Sequence, residues 1–268
     1  MVKNETAEAL RIAMKTAMNN RSVSDVKHVL ARGYKASQVL YEDTRETALH
    51  HAARYFDVEM CQIFIDAGAK VNAKDKYRAT PLDIALEQGR AAGIVATLAA
   101  AGANVNQPDV NGVPPLHRVA LRDNSSEKKM FDSSVCQVLL DHGAHLYALS
   151  EKASTPLHVA ETLDAWRFFV AAGISIDYVP QHCDASYLTP FQDVVRVGRA
   201  DLVAYCLAQG GIDLNQRTLG DCSLSDLATS FDVRAALRAA ESVEAIETVI
   251  DVAASPRAQL SREECNPL

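Results

Sequence analysis

Short apolar segments with helical spacing recur along the chain, and each of them ends at a glycine. An extended piece with an apolar centre and a terminal Asn follows several of them. Apolar residues three and four positions apart lie on one face of a helix, and glycine supplies the left-handed conformation that ends a helix. The pattern predicts paired helices separated by turns. The apolar segments include residues 61–68, 96–102 and 138–143, and the extended pieces include 69–72, 103–106 and 212–215.

A second motif precedes each glycine-terminated segment, and its best copies read Thr-Pro-Leu-His-x-Ala. The copies are separated by 33, 34, 41, 34 and 33 residues. A Thr hydroxyl accepts a hydrogen bond from free N–H groups at a helix start, and Pro in the first turn loses no bond. In the turn that follows each Val-Asn piece, Asn and Asp are expected to satisfy their own backbone. The copies start at Thr47, Thr80, Pro114, Thr155, Thr189 and Cys222.

These copies resemble the ankyrin repeat, a unit of 33 residues with a Thr-Pro-Leu-His-x-Ala-Ala motif and a closing Gly-Ala-x-Val-Asn. The resemblance covers nearly the whole chain, since the copies run from residue 41 to residue 240. It implies an all-α fold, namely an ankyrin repeat solenoid of about seven helix-turn-helix units with short β-hairpin tips. It also implies a continuous concave surface on which partners bind.

One ankyrin repeat domain is expected over residues 1–254. Residues 1–40 form a polar N-terminal capping repeat, and an amphipathic helix over 241–254 covers the last repeat, because both ends of a solenoid face water. The tail at 255–268 is expected to be flexible. The repeats between the caps span 41–73, 74–107, 108–148, 149–182, 183–215 and 216–240.

Three departures from the repeat length are visible. A polar insert at 122–130 lengthens the copy that starts at Pro114, as a surface loop or as a contact specific to a partner. The copy that starts at Thr155 reaches its glycine after 18 residues, so its inter-helix turn is trimmed and Trp166 is expected to fill space there. The connection at 177–188 is long, and this finger is expected to project furthest.

Composition narrows the function classes further. Lys+Arg 27 against Asp+Glu 34 gives a net charge of −7, which offers no general attraction for nucleic acid or an anionic membrane. No apolar run approaches the roughly 20 residues that a membrane helix needs, and the first residues lack the pattern of a secretory signal. The 6 cysteines are scattered singly, as is typical of reduced thiols. We therefore expect a cytoplasmic protein that is a monomer on its own.

Catalytic chemistry is poorly represented. His50, His117 and His158 share one repeat position, where the family resemblance implies a hydrogen bond within the turn. No phosphate loop, nucleophile elbow or zinc-protease motif is present, and His142 and His145 lack further ligands at metal spacing. We expect no catalytic, cofactor-binding or metal residues, hence no enzyme and no cofactor. An enzyme that uses His182 and Cys183 on the long finger is a remote alternative.

The expected function is therefore that of a non-enzymatic protein–protein interaction module, acting as an adaptor or an inhibitor of another protein. An antitoxin or immunity-type neutraliser of a toxic enzyme is the alternative, and a structural spacer with no preferred partner is a third class. By the family's geometry, contacts come from the hairpin tips and the exposed ends of the first helices. Tyr and Arg are typical interface anchors, and they form a partly basic, aromatic stripe suited to an acidic or mixed protein surface. The candidate partner-binding residues are Arg54, Tyr55, Tyr77, Arg78, Asn111, Arg122, Lys152, Tyr178, Tyr187 and Arg196.

Overall fold

A computed structural model describes residues 6–55, 57–88, 92–121, 131–180, 187–210 and 212–254, with the backbone alone from 243 onwards. The fold divides into two compact units, Met1–Ala172 and Gly173–Leu268, which are described separately below. The described residues are mostly helical, in agreement with the expected fold class. The single domain over 1–254, the repeat boundaries and the number of seven units stay predictions.

The first unit is built from pairs of short helices arranged in two layers. The first helices of successive copies pack on one another, α3 on α5 and α5 on α7, while the second helices pack as α4 on α6 and α6 on α8. Leu49, Phe64, Leu82 and Leu98 are among the fully buried side chains between the layers. The elements are α1 Ala7–Asn19, α2 Val23–Ala31, β1 Val39–Tyr41, β2 Glu46–Thr47, α3 Ala48–Tyr55, α4 Val58–Asp66, α5 Pro81–Glu87, α6 Ala92–Ala100, α7 Pro115–Ala120, α8 Ser133–Asp141 and α9 Leu163–Ala171.

The second unit repeats the same arrangement with four helices in its described residues. Helix α10 (Pro190–Val197) packs on α11 (Ala200–Gln209) and on the single-turn α12 (Leu224–Leu227). Helix α13 (Phe231–Ala254) packs on α11 and α12. The sequence predicted a second helix over 232–239 and a separate closing helix from residue 241, but one continuous helix spans both. No glycine or proline lies between them to end it.

The helix starts follow the predicted capping chemistry. Thr80 and Thr189 each accept a hydrogen bond from the backbone N–H three residues on, while the side chain of that third residue, Asp83 or Gln192, accepts from the Thr N–H. The last copy is capped by Ser223 in the same way, one residue after the predicted start at Cys222. The second helices end as predicted at glycines with positive φ, such as Gly68 at 81°.

The tips between copies are mostly hydrogen-bonded turns. Among the described residues, an antiparallel hairpin forms only between β1 and β2, and one isolated bridge joins Arg217 to Ser223. At the other tips a polar residue closes the turn: Asp75 N–H donates to Ala79 O, and its carboxylate accepts from the N–H groups of Tyr77 and Ala79. These turns are closed by only a few backbone hydrogen bonds and form no strand ladder, so the expectation of β-hairpin tips is wrong for most of the described tips.

A left-handed residue stands two positions before the start of five copies. At these five positions, from the tip between β1 and β2 onwards, φ lies between 58° and 69°. Gly112 meets this requirement without a side chain, whereas the other tips carry a side chain in a conformation that L-residues rarely adopt. The residues are Arg45, Arg78, Gly112, Ala153 and Asp221.

The sequence predicts that the Asn residues of the Val-Asn pieces satisfy their own turns. In the structure, the side chains of Asn72 and Asn106 instead bind the next copy. Asn72 donates from Nδ2 to Gly102 O at 2.8 Å and accepts from Asn104 N–H at 2.9 Å. Asn106 bonds in the same way to Gly143 O and His145 N–H, at 2.8 and 2.7 Å. The side-chain amide therefore links the glycine-terminated ends of adjacent second helices.

The short copy that starts at Thr155 has no first helix. Residues 156–159 form turns, and Thr162 already caps α9. Trp166 is fully buried in this region and donates from Nε1 to Ala160 O at 2.9 Å, which satisfies a carbonyl where the helix is missing. Removing three residues leaves no length for a full helical turn, and the indole fills the space as predicted.

In the copy that starts at Pro114, only one of the two ring nitrogens of the buried His117 has a hydrogen-bond partner among the described residues. In the copy that starts at Thr47, the Thr N–H and hydroxyl both contact His50 Nδ1, at 3.2 and 2.8 Å. Pro114 has neither an N–H nor a hydroxyl, and His117 Nδ1 is buried with no hydrogen-bond partner among the described residues. Leaving a buried polar atom unpaired costs about 1–3 kcal/mol.

We expect Pro114→Thr to raise the free energy of unfolding by about 1 kcal/mol, because the hydrogen bonds to His117 Nδ1 outweigh the loss of proline rigidity in the unfolded chain. Urea denaturation followed by circular dichroism measures the change. Thr155→Val is the opposite control, since it removes a hydroxyl that lies 2.8 Å from His158 Nδ1 and should lower stability. A Pro114→Thr variant no more stable than the parent would contradict this account.

Candidate functional site

A row of aromatic rings in contact runs from Tyr41 on β1 to the exposed end of α3. The Tyr41 and His51 ring centres are 5.2 Å apart, and those of His51 and Tyr55 are 4.7 Å apart in an edge-to-face arrangement. Lys15 Nζ lies 5.1 Å from the centre of the Tyr41 ring, and the Arg54 guanidinium lies 5.9 Å from that of Tyr55. Tyr55 is 51% exposed at the end of the row. This row places a large, oriented aromatic surface where the sequence predicted contacts.

The electrostatics of this row differ from the expected basic stripe. Arg54 donates from Nη2 to Glu46 Oε1 at 2.6 Å, so its charge is balanced within the protein. Burial, assisted by the charge of Arg54, lowers the pKa of His51 to about 4. Burial together with Glu46 raises the pKa of Tyr41. The row is therefore neutral near pH 7, and His51 contributes a ring rather than a cation.

Tyr77 and Arg78 lie at the tip between α4 and α5. Tyr77 is 63% exposed, and Lys76 Nζ lies 5.9 Å from the centre of its ring. Arg78 is exposed with φ 64°, and its N–H donates to Asp75 O at 3.1 Å. The turn thus fixes the backbone of both candidates while their side chains remain in solvent.

Asn111 is exposed at the next tip, where Asp109 organises the backbone. The carboxylate of Asp109 accepts from the N–H groups of Asn111 and Val113, and it is paired with Arg118. Burial opposes the ionised form, but these N–H donors and Arg118 lower the pKa of Asp109 overall. The charge of Arg118 beside this tip is therefore balanced by Asp109, as that of Arg54 is by Glu46.

Lys152 is exposed on the tip that follows Asn111. The side chain of its neighbour Glu151 lies against Gly112, because a Cβ added to Gly112 would overlap Glu151. The tips that carry Asn111 and Lys152 are therefore adjacent. Together with the hydrogen bond from Lys76 N–H to Thr44 O at 2.7 Å, this orders the tips of the first unit side by side.

In the second unit, Arg196 is held by its own helix. Its guanidinium donates to Asp193 Oδ1, at 3.0 Å from Nε and 2.6 Å from Nη2. The Thr229 hydroxyl donates to Arg196 O at 3.0 Å, which holds the start of α13 beside the end of α10. Exposed Val197 and Phe231, the latter 83% exposed, lie on these two segments.

Sequence reasoning missed Phe231 as a surface residue. It stands eight positions after the helix start at Ser223, as Val197 does after Thr189 and Tyr55 after Thr47. The predicted start at Cys222 placed Phe231 out of register with these equivalents. Correct alignment of the cap would have identified it from the sequence.

The remaining candidates are partly exposed or outside the described residues. Tyr178 and Tyr187 are partly buried, and the Tyr187 hydroxyl donates to Tyr178 O at 3.4 Å, so neither ring is as open as Tyr55 or Tyr77. Arg122 and the insert at 122–130 lie outside the described residues, as do His182, Cys183 and the centre of the long finger.

The histidines at the repeated position serve the turns. His50 accepts from Thr47 N–H at Nδ1, so Nε2 carries the proton that is donated to Ala79 O at 3.1 Å. Within the described part of the chain, no group of three or more His, Cys, Asp or Glu side chains is placed to hold a metal ion. No described helix has the length and apolar character required to cross a membrane.

Comparison with known proteins identifies the repeat in part of the chain. Residues 13–109 match the family model described as ankyrin repeats (3 copies). A similar curated protein is Tyrosine-protein kinase Shark of Drosophila melanogaster, which is 33% identical over 110 residues. That match covers 41% of this chain and 11% of the Shark protein. The chain therefore spans about a tenth of the length of this relative.

We expect the stability of the fold to decrease as the pH falls below the ordinary histidine pKa of about 6.5. The unfolded chain binds a proton at His51 near that pH, whereas the folded protein binds it only near pH 4. The stability contributed by neutral His51 is thus complete above pH 6.5 and is lost progressively towards pH 4. NMR titration of the His51 ring and urea denaturation at several pH values measure the two effects. A His51 ring that titrates near pH 6.5 would refute the assignment.

Proposed function

We propose that the protein, whose residues 13–109 match the family model of ankyrin repeats, is a non-enzymatic module that binds another protein. Ankyrin repeats generally mediate protein–protein interaction. The observation that carries the proposal is that several copies expose large apolar side chains in two regions, eight residues after the helix start and at the tips. In the first region these are Tyr55, Val197 and Phe231, and at the tips they are Tyr77, Val110 and Leu219.

The physical chemistry of these positions suits an interface. Tyr55 is oriented by His51 and Arg54, and Tyr77 stands on a turn that Asp75 closes. Aromatic side chains bury much area and lose little rotamer entropy on binding, and a fixed backbone lowers the ordering cost further. A partner can therefore bury both rings without a large rearrangement of the described residues.

The mode of action that we favour is occupancy of a partner surface, either as an adaptor or as an inhibitor. An antitoxin or immunity-type protein that neutralises a toxic enzyme is one form of the inhibitor. We place the protein in the cytoplasm as a monomer, and the reduced Cys61, Cys136 and Cys206, all buried, support a reducing compartment. The alternative of an enzyme based on His182 and Cys183 concerns a segment outside the described residues and stays a hypothesis.

Affinity capture with cross-linking mass spectrometry tests the proposal. We expect one protein to be recovered in stoichiometric amount by the parent chain and to be lost with a Tyr55→Ala, Tyr77→Ala double variant, with cross-links at the tips. Gln62→Ala is the matched control, because Gln62 is exposed on the second helix α4. It should leave the recovery unchanged.

The outcomes separate the alternatives. Recovery that is equal for the parent and the double variant would contradict this surface, and absence of any stoichiometric partner would contradict the binding function. If the partner is an enzyme, titration of its activity with the purified chain distinguishes an inhibitor, which abolishes activity at a 1:1 ratio, from an adaptor, which does not.

A further inference from the structure

One tip of the first unit carries an unusual concentration of positive charge. We call it the basic finger and define it by Lys70, Lys74, Lys76, Tyr77 and Arg78. All five side chains are exposed. Within the described residues none of its four cations takes part in an ion pair, and Lys76 Nζ lies 5.9 Å from the centre of the Tyr77 ring.

The one acid within the basic finger is turned inwards. Asp75 is 5% exposed, and its Oδ1 accepts the N–H groups of Tyr77 and Ala79 at 2.8 Å each. This arrangement contrasts with Arg54, whose guanidinium is paired with Glu46. The basic finger therefore retains positive charge that the protein itself does not neutralise, although the chain as a whole carries −7.

The neighbouring tips lack the three lysines at equivalent positions, although Arg45 of the preceding tip stands where the basic finger has Arg78. The following tip has Asn104, Pro108, Val110 and Gly112 where the basic finger has Lys70, Lys74, Lys76 and Arg78. Arg78 also occupies the left-handed position that Gly112 fills without strain. The concentration of cations is thus a feature of this tip and is not a general property of the repeat.

We propose that the basic finger binds an acidic segment of the protein partner, with Asp and Glu carboxylates facing its four cations and an apolar side chain against Tyr77. The proposal rests on the protein-binding function proposed above and names the chemistry of its partner. Lys supplies mobile point charges, and Arg78 can hold a carboxylate through two parallel hydrogen bonds. A local positive patch on an acidic protein also orients the approach of such a partner.

The surroundings favour a short acidic peptide segment over a nucleic acid or an anionic membrane. Lys76 N–H donates to Thr44 O, so the tip next to the basic finger is the one that carries exposed Asp43 and Arg45, one charge of each sign. Asp43 interrupts the basic surface, and together with the net charge of −7 it disfavours an extended polyanion, whose binding needs many phosphate contacts along a continuous basic path. A peptide with a few carboxylates fits within the finger itself.

Fluorescence anisotropy with the full chain at low ionic strength tests the proposal. The probes are a labelled peptide of Asp, Glu and Leu and its counterpart of Asn, Gln and Leu. We expect the acidic peptide alone to bind, with an affinity that falls as salt is added. A Lys76→Gln, Arg78→Gly double variant should bind about tenfold more weakly, because each exposed charge contact contributes modestly.

The variants are chosen so that folding does not confuse the result. Arg78→Gly places glycine at φ 64°, where the next tip has Gly112 at 69°, and Lys76 is exposed. Arg238→Gln is the control, since it removes one exposed cation from helix α13 rather than from a tip. It should leave the affinity unchanged. Equal weakening by Arg238→Gln, or equal binding of the uncharged peptide, would overturn the proposal.

Two further measurements separate this proposal from its alternatives. Tighter binding of oligothymidylate or of phosphatidylserine vesicles than of the peptide, lost in the same double variant, would overturn it in favour of a nucleic acid or a membrane. A captured partner that depends on Tyr55 but is insensitive to the charge variant would overturn it while leaving the proposed function intact. Finger-dependent peptide binding without any stoichiometric partner would support the acidic specificity and contradict the proposed function.

Discussion

The fold depends on hydrogen bonds made by the third residue of each first helix. In the copy that starts at Thr47, His50 accepts from the Thr N–H on one side of its ring and donates to Ala79 O in the following turn on the other. His117 Nε2 reaches Ser154 O at 2.6 Å in the same way. Burial lowers the pKa of both imidazoles and favours the neutral form. One side chain thereby closes its own helix start and fixes the turn that leads to the next copy.

The fixed turns decide which side chains are available to a partner. The carboxylates of Asp75 and Asp109 accept hydrogen bonds from backbone N–H groups of the tips, and exposed side chains such as Tyr77 and Asn111 lie between them and the next helix start. We call the capping, turn-closing and buried residues the frame. The frame and the exposed surface therefore consist of different residues. Binding at Tyr77 or Asn111 does not require the hydrogen bonds of the frame to break, which keeps the ordering cost of association low.

Much of the frame could be predicted from the sequence because its signals are local. The caps at Thr80 and Thr189, the proline in the first turn and the glycine at the helix end each act within a few residues. The predictions were wrong where a local signal was ambiguous, as at the start and end of the last helices. The sequence predicts a helix start at Cys222, but Ser223 caps the helix, and α13 continues through residues where the sequence predicts two helices.

The repeat, its helix pairs and the positions of the exposed side chains could be identified from the sequence, because periodic spacing and capping residues act locally. The charge of the surface depended on the folded structure. Arg54 and Arg196 had been expected to give a basic stripe, yet Glu46 and Asp193 neutralise them, while the lysines beside Tyr77 have no such partner among the described residues. Charge pairing depends on which groups the fold brings within a few ångströms, and no pattern along the chain contains that distance.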